Sequence, residues 1–186
     1  MQIQYNSPVV LTYTFACTAI LAFNYLTANT LMPLFTVYPS MNLWNPLDYF
    51  RLFSHVLGHG DWGHLLNNFT LILLLGPMLE EKYGSSNLLT MMFITALVTG
   101  LLNVLLFNSG LLGASGIVFM FILLSSLANL KQGKTPLTFV LVVVLFLGKE
   151  FLNMFSNNNV SEAAHIVGGI CGAVFGFMGR GLETKR

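Results

Sequence analysis

The sequence predicts an all-α, polytopic membrane protein in which six transmembrane helices form a single domain over residues 1–186. Composition is the first observation: 55% of the residues are hydrophobic and only 8% are charged, whereas a soluble domain carries about 25% charged residues. Segment length is the second, because the chain contains several apolar segments close to the length of about 20 residues that crosses a bilayer. A formal net charge of +1 provides no basic face, so no nucleic-acid partner is expected.

The apolar segments follow one another along the chain, separated by short polar stretches. They cover residues 8–28, 62–82, 87–108, 113–130, 136–154 and 163–180. No charged residue precedes Asp48, so the first segment lacks the basic region of a signal peptide and is expected to remain as a span. The third and fourth segments form an uncharged stretch too long for one span, and Asn108-Ser109-Gly110 predicts a turn between them.

Residues 29–61, between the first two spans, show a helical pattern rather than the composition of a linker. Apolar residues recur at helical spacing at Tyr49, Leu52, Phe53, Val56 and Leu57. The polar residues of the opposite side are Arg51, Ser54 and His55. With Tyr38 and Trp44 nearby, the pattern predicts a membrane-associated loop whose amphipathic helix lies in the outer interface.

The lysine and arginine residues predict the orientation of the spans. Because successive spans cross the membrane in opposite directions, six of the basic residues fall on the same side of the membrane: Lys82, Lys131, Lys134, Arg180, Lys185 and Arg186. Arg51 and Lys149 fall on the other side. The positive-inside rule therefore predicts cytoplasmic N- and C-termini in a cell membrane. The second, fourth and sixth spans then run from the outer face inward.

Polar residues stand at the outer ends of these three inward-running spans, at His64, Asn68, Ser115 and His165. His64 and Asn68 are four residues apart, so they share one face of a helix. Ser115 opens the fourth span, and His165 lies in the first turn of the sixth. Hydrocarbon penalises an unsatisfied polar group by several kcal/mol. We therefore interpret the serine and the histidine as a nucleophile and its base.

Small residues explain how Ser115 and His165 meet. A stripe of glycines follows His165 at helical spacing, at Gly168, Gly172 and Gly176. Such spacing lets helix backbones approach closely. The fourth span likewise begins with residues that have small side chains, at positions 113–116. An activated serine needs its base within hydrogen-bond reach. Glu162 is the one carboxylate close to His165 in sequence, so a dyad is expected rather than a triad.

An oxyanion hole is the other requirement of acyl-transfer chemistry. Ser115 lies at a predicted helix N-terminus, where free N–H groups and the positive end of the dipole favour an anion. His64 and Asn68 add side-chain donors, and one such donor is typically worth roughly 10²–10³ in rate. Each feature alone has a structural alternative, since glycine stripes pack helices and a histidine in a span can make a structural hydrogen bond. The combination of the serine, the histidines and the glycine stripe indicates a catalytic site for acyl transfer.

In combination these motifs resemble the rhomboid family of intramembrane serine proteases, over roughly residues 45–180. The matching positions are Arg51, His59, His64, Asn68, Glu80, Gly113, Ser115, Gly116, Ala164, His165, Gly168 and Gly172. The resemblance implies Ser115 as nucleophile and His165 as general base. It implies an oxyanion hole of His64, Asn68 and the Ser115 N–H, with Gly113 beside them. The supporting residues are His59, Phe119, Gly168 and Gly172.

The resemblance also implies the substrate, a transmembrane protein in the lipid bilayer that is cut near its outer end after a small residue. It implies no metal and no cofactor. Phe50 stands where the family usually has Trp, and Phe119 where it commonly has Tyr packed against the catalytic histidine. Phe keeps the aromatic face and loses only the hydroxyl, so an active enzyme is still expected.

Two alternative functions compete with proteolysis. A catalytically silent relative that binds transmembrane helices typically lacks the serine or the histidine, whereas this chain keeps both Ser115 and His165. A small transporter or channel needs ionisable residues deep in several spans, and the deep positions here are almost uncharged. Lys149 and Glu150 match no motif, and snorkelling to the interface is their expected behaviour.

Overall fold

The computed structural model describes residues 3–128, 135–153 and 162–179. Its α-helices are α1 (Pro8–Leu26), α2 (Pro46–Ser54), α3 (Trp62–Tyr83), α4 (Ser85–Leu106), α5 (Ser115–Ser126), α6 (Leu137–Val142), α7 (Gly148–Asn153) and α8 (Glu162–Met178). Short 3₁₀ helices lie at Met32–Phe35 and His55–Leu57, and a π-helical turn at Val143–Leu147 joins α6 to α7. In the described residues β-pairing is limited to an isolated bridge between Val37 and Leu111. The predicted all-α fold is confirmed.

The helices differ in their ability to cross a membrane. Among the described residues, α1, α3 and α4 are long and apolar enough to do so. Three further helices are apolar but shorter: α5, α8 and the helix Leu137–Leu147, which consists of α6 and the π-helical turn. Every predicted segment begins within two residues of an observed helix. The predicted C-terminal ends of the last three segments fall partly outside the described residues, as do the basic residues Lys131, Lys134, Arg180, Lys185 and Arg186.

Helix α5 is the centre of the bundle. It packs against α3, α4, α6 and α8. Buried side chains occupy every face of it, at Ile117, Val118, Met120, Phe121, Ile122, Leu123 and Leu124. A helix that is apolar all round belongs in the interior of a protein or a bilayer. With 12 residues it is only roughly 18 Å long at 1.5 Å per residue, well short of a hydrocarbon core of about 30 Å.

Helices α5 and α8 are in direct backbone contact, and they run parallel. A Cβ atom at Gly168 would overlap the carbonyl oxygen of Gly116 and lie 2.9 Å from its Cα. One turn further on, a Cβ at Gly172 would overlap the carbonyl of Met120 in the same way. Only glycine fits at these two positions of α8, and the prediction that the glycine stripe lets α8 approach α5 is confirmed.

A buried carboxylate ties α1 to the bundle. Glu80, near the end of α3, is 5% exposed and accepts hydrogen bonds from the amides of Val9 at 2.9 Å and Val10 at 3.0 Å. The hydroxyl of Ser85 donates a third bond at 2.7 Å. The first amides of a helix have no partner within it and carry the positive end of the dipole. The Glu80 carboxylate therefore caps α1 across a distance of 70 residues in the sequence.

The segment between α1 and α3 is an ordered layer built on Arg51. Its Nε donates to the carbonyl of Pro33 at 2.9 Å, its Nη1 pairs with Asp48 at 2.5 Å, and its guanidinium lies 5.1 Å from the ring centroid of Tyr38. The amide of Asn42 donates to Asp48 at 2.9 Å, and this bond lowers the pKa of that carboxyl, as does Arg51. The residues before α2 are thus held by charge and backbone contacts.

The predicted two-sided pattern of α2 is wrong in part. Ser54 and His55, assigned to its polar side, are 3% and 1% exposed, whereas Tyr49, on its apolar side, is 46% exposed. The hydroxyl of Ser54 donates to Leu34 O at 2.9 Å, and the imidazole of His55 lies 3.3 Å from Thr99 Oγ1. These polar side chains are buried because tertiary partners satisfy them. In addition, α2 ends at Ser54, so helical spacing does not continue to the following residues.

We expect Gly168→Ala to destabilise the protein by about 1–3 kcal/mol, since overpacking of a close contact typically costs that much. Its Cβ meets backbone atoms of Gly116, which have little room to move. The control is Gly148→Ala, because no atom lies within 4 Å of a Cβ at that position, and alanine favours helix over glycine. Thermal melting of the purified proteins measures both. Equal melting temperatures for wild type and Gly168→Ala would contradict the backbone contact.

Candidate active site

Ser115 is the first residue of α5, and the loop before it is fixed to the segment that precedes α3. Leu111 exchanges two backbone hydrogen bonds of 2.9 Å with Val37. The amide of Gly113 donates to the carbonyl of His55 at 2.9 Å. These bonds set the direction in which the chain enters α5. Ser115 itself is partly exposed, whereas the residues that follow it, 116–118, are buried.

Gly113 brings the imidazole of His64 to the start of α5. Its φ of +120° lies in the region that favours glycine, and a Cβ there would be 2.7 Å from Nε2 of His64. The ring of His64 therefore rests directly on the backbone two residues before Ser115. Both the conformation and the available space require glycine at position 113.

His64 is held in the first turn of α3 by Asp61. The side chain of Asp61 caps the helix and accepts a hydrogen bond of 2.7 Å from the amide of His64. Asp61 is not among the sequence-predicted site residues, although Asp is a preferred N-cap residue and the apolar run begins just after it. Asn68 follows one turn later and is 6% exposed. Its Nδ2 atom has no hydrogen-bond partner among the described residues.

His165 lies on α8 next to the start of α5. The ring of Phe119 stacks on its imidazole, with 4.5 Å between the centroids and 6° between the planes. A Cβ on Gly116 would lie 3.4 Å from the carbonyl oxygen of Ala164. Gly116, the residue after Ser115, thus lies close to Ala164, the residue before His165.

The structure therefore brings the sequence-predicted residues to one end of three helices. The N-terminal turns of α3, α5 and α8 contribute His64, Ser115 and His165, respectively. Gly113, predicted beside the oxyanion hole, and the supporting residues Phe119 and Gly168 each contact one of these elements. The first amides of α5 point to the same end, as they do in any helix. Within the described residues no group of three His, Cys, Asp or Glu side chains is arranged to hold a metal ion.

A rhomboid domain model matches residues 46–181. The chain belongs to the rhomboid family. One similar protein is the rhomboid protease GlpG of Haemophilus influenzae, which is 25% identical over 138 residues, covering 73% of this chain and 72% of the relative. The residues that match the rhomboid model run from α2 to α8 and include Ser115 and His165, whereas α1 precedes them.

His59 lies behind His64 in this rhomboid and, like His55, is buried. It is 0% exposed, and its ring meets that of His64 edge-on at 5.0 Å and the ring of Phe69 at 5.6 Å. Its Nδ1 lies 3.4 Å from the carbonyl of Leu57. Burial, reinforced by the charge of His64, lowers the pKa of His59 to about 4. The neutral ring therefore supports His64 by packing.

The low pKa of His59 predicts a loss of stability in acid. The unfolded chain binds a proton near pH 6.5, whereas the folded protein does so only near pH 4, so the free energy of unfolding falls as the pH falls through this window. The contribution is on the order of 3 kcal/mol, at about 1.4 kcal/mol per pKa unit. His59→Gln removes this contribution. The fall in melting temperature between pH 7 and pH 4.5 should then shrink by about half, because the similarly buried His55, whose pKa is also lowered to about 4, keeps its own contribution. An unchanged slope in His59→Gln would contradict this assignment.

Proposed function

We propose that this rhomboid is an intramembrane serine endopeptidase that cleaves transmembrane-anchored substrates with a Ser115–His165 dyad. One observation carries the proposal: Ser115 opens the buried helix α5 directly beside the first turn of α8, where Phe119 stacks on His165 at 4.5 Å. A serine and a histidine in that relation are the minimum for an activated nucleophile. The similarity to a rhomboid protease supports the same reaction.

In the proposed mechanism Oγ of Ser115 attacks the scissile carbonyl carbon while the His165 imidazole takes the hydroxyl proton. The tetrahedral intermediate collapses to an acyl-enzyme as the imidazolium returns that proton to the leaving amine. A water molecule, deprotonated by the same ring, then attacks the acyl-enzyme, releases the carboxylic acid and regenerates the serine. The scheme needs two side chains, Ser115 as the nucleophile and His165 as the general base.

The oxyanion is stabilised by donors from two helices. The backbone N–H of Ser115 and the positive end of α5 supply one part. His64 and Asn68 supply the other, because the His64 ring rests on Gly113 and the Nδ2 of Asn68 is buried without a partner among the described residues. An uncommitted buried donor costs free energy in the resting protein. In the proposed mechanism the Nδ2 group of Asn68 donates a hydrogen bond to the oxyanion, which forms only during the reaction.

The proposed topology has six spans, cytoplasmic N- and C-termini in a cell membrane, and an active site that opens to the outer face. Lys82 supports it, since it lies at the opposite end of the bundle from Ser115 and donates to the carbonyl of Ala128, just after α5. Arg51 lies with α2 at the site's end. Because α5 is far shorter than the hydrocarbon core, Ser115 lies below the membrane surface, level with the end of a substrate helix.

A catalytically silent protein that binds transmembrane helices is the second candidate. It needs the helix bundle and its lipid-facing surface, but it does not need a glycine at φ +120° against His64 or a buried donor on Asn68. Retention of Ser115 and His165 together with these supports favours the enzyme. Phe119 keeps the stacking contact with His165, so the missing hydroxyl does not remove the support of the base.

Ser115→Ala and His165→Ala should each abolish cleavage of a single-span reporter, by about 10⁴-fold or more, because a nucleophile and its base fail as a unit. Both should also abolish labelling by a fluorophosphonate probe. The matched control is Ser125→Ala, which lies near the other end of α5 and only bonds back to Ile122 O at 2.9 Å. It should cleave and label like the wild type.

These measurements separate the two candidates. A purified wild-type protein that neither labels nor cleaves, yet retains bound transmembrane peptides, would identify the silent binder. Cleavage that survives in Ser115→Ala would exclude this serine as the nucleophile. Melting temperatures close to wild type in all variants establish that the losses are chemical.

A further inference from the structure

Helix α6 reaches the candidate active site through Phe146, a residue of the π-helical turn Val143–Leu147. The ring of Phe146 meets Phe119 edge-on, with 6.3 Å between the centroids and 77° between the planes. Phe119 in turn lies parallel to the imidazole of His165 at 4.5 Å. The three rings form a continuous series from α6 through α5 to α8. We call it the ring series.

The π-helical turn determines which side chains of α6 face the bundle. Such a turn inserts one residue relative to an α-helix and occurs frequently at functional sites, and one residue rotates the following side chains by about 100°. Phe146 and Leu147 both follow the start of this insertion. Leu147 packs against α8, where a Cβ at Gly169 would lie 2.7 Å from its Cδ2. The turn therefore directs adjacent side chains to α5 and α8.

Phe119 needs support from outside because its ring has no hydroxyl. A tyrosine at this position can fix its tilt with a hydrogen bond, whereas a phenyl ring is oriented by packing alone. Aromatic pairs prefer stacked or edge-on arrangements with centroids about 4.5–7 Å apart. Phe119 makes one contact of each kind, with His165 and with Phe146. The edge-on contact from α6 holds the ring against the imidazole.

Phe146 also borders a cavity of about 470 Å³ between α3, α5 and α6. Leu71 of α3 and Ile122 of α5 line it, as does Val142 of α6, which lies one turn before Phe146. Phe146 is 39% exposed, so the core does not enclose it. The position of the Phe146 ring therefore depends on that of α6. A displacement of α6 would be transmitted through the ring series to the imidazole of His165.

We propose that Phe146 is a positioning residue, which holds Phe119 in place and so keeps the His165 imidazole oriented toward Ser115. This inference rests on the proposed function, in which His165 is the general base. Phe146 touches no reacting atom in this scheme. Its effect passes through Phe119 and therefore vanishes when Phe119 no longer carries a ring.

The test is steady-state cleavage of a single-span reporter by the purified full chain. Phe146→Leu should lower kcat by about 3- to 10-fold, the factor expected from losing one aromatic pair, with KM within about twofold of wild type. Phe146→Tyr keeps the ring edge and should restore kcat. Phe119→Leu combined with Phe146→Leu should be no slower than Phe119→Leu alone, because the two residues act in series.

Phe139→Leu is the matched control. Phe139 lies on the same helix and meets Phe177 edge-on at 5.5 Å and 85°, so its loss removes the same kind of contact away from His165. We expect a comparable fall in melting temperature and an unchanged kcat. If Phe146→Leu fails to fold, Phe146→Met offers a second flexible replacement without a ring.

Three results would overturn the inference: a wild-type kcat in Phe146→Leu, full additivity with Phe119→Leu, or an equal loss of kcat in Phe139→Leu. Each is distinct from failure of the proposed function. Inactive Ser115→Ala with a fully active Phe146→Leu refutes only the role of Phe146. Cleavage by Ser115→Ala refutes the function itself.

Discussion

The direct backbone contact between α5 and α8 is the constraint on which the rest of the site depends. Gly168 and Gly172 allow the carbonyl groups of Gly116 and Met120 to take the space of side chains. In a membrane, apolar side chains gain little from leaving lipid, so close packing is a main source of helix association. The same contact fixes the relative height of α5 and α8. That height decides whether Ser115 and His165 lie at one level.

Three helix N-termini meet at the candidate site, and each is placed by a different local device. Asp61 caps α3 and fixes the backbone of His64. The loop before α5 is bonded to Val37 and to His55, which gives the ordered segment before α3 a role in directing Ser115. The start of α8 is set by its glycine contact. Free amides and positive dipole ends accumulate where helix N-termini meet, which suits an oxyanion.

The surroundings of the site are mostly aromatic and neutral. His59 is buried and its pKa is lowered to about 4, so it adds bulk without charge behind His64. Phe119 stacks on His165, and Phe146 meets Phe119 edge-on. Rings restrict the motion of the imidazole and exclude water from its face without competing for its proton. Helix α5 itself carries no Asp, Glu, His or Lys side chain.

The sequence by itself determined the helices and the residues at their ends. Hydropathy, the break at residues 108–110 and the spacing of Gly168 and Gly172 are local properties, and each agrees with the described structure. Ser115 and His165 are predicted as a catalytic pair because polar groups at the start of apolar helices cost free energy unless a partner or a function accounts for them. The capping role of Asp61 could also be predicted, because Asp is a preferred N-cap residue and an apolar run follows it. Tertiary structure alone decided the burial of Ser54 and His55, the capping of α1 by Glu80 and the contact of Phe146 with Phe119. The partners of these residues are distant in the chain, and a pattern along one helix does not specify which atoms a second helix brings to it. A π-helical turn is not visible in the hydropathy pattern either.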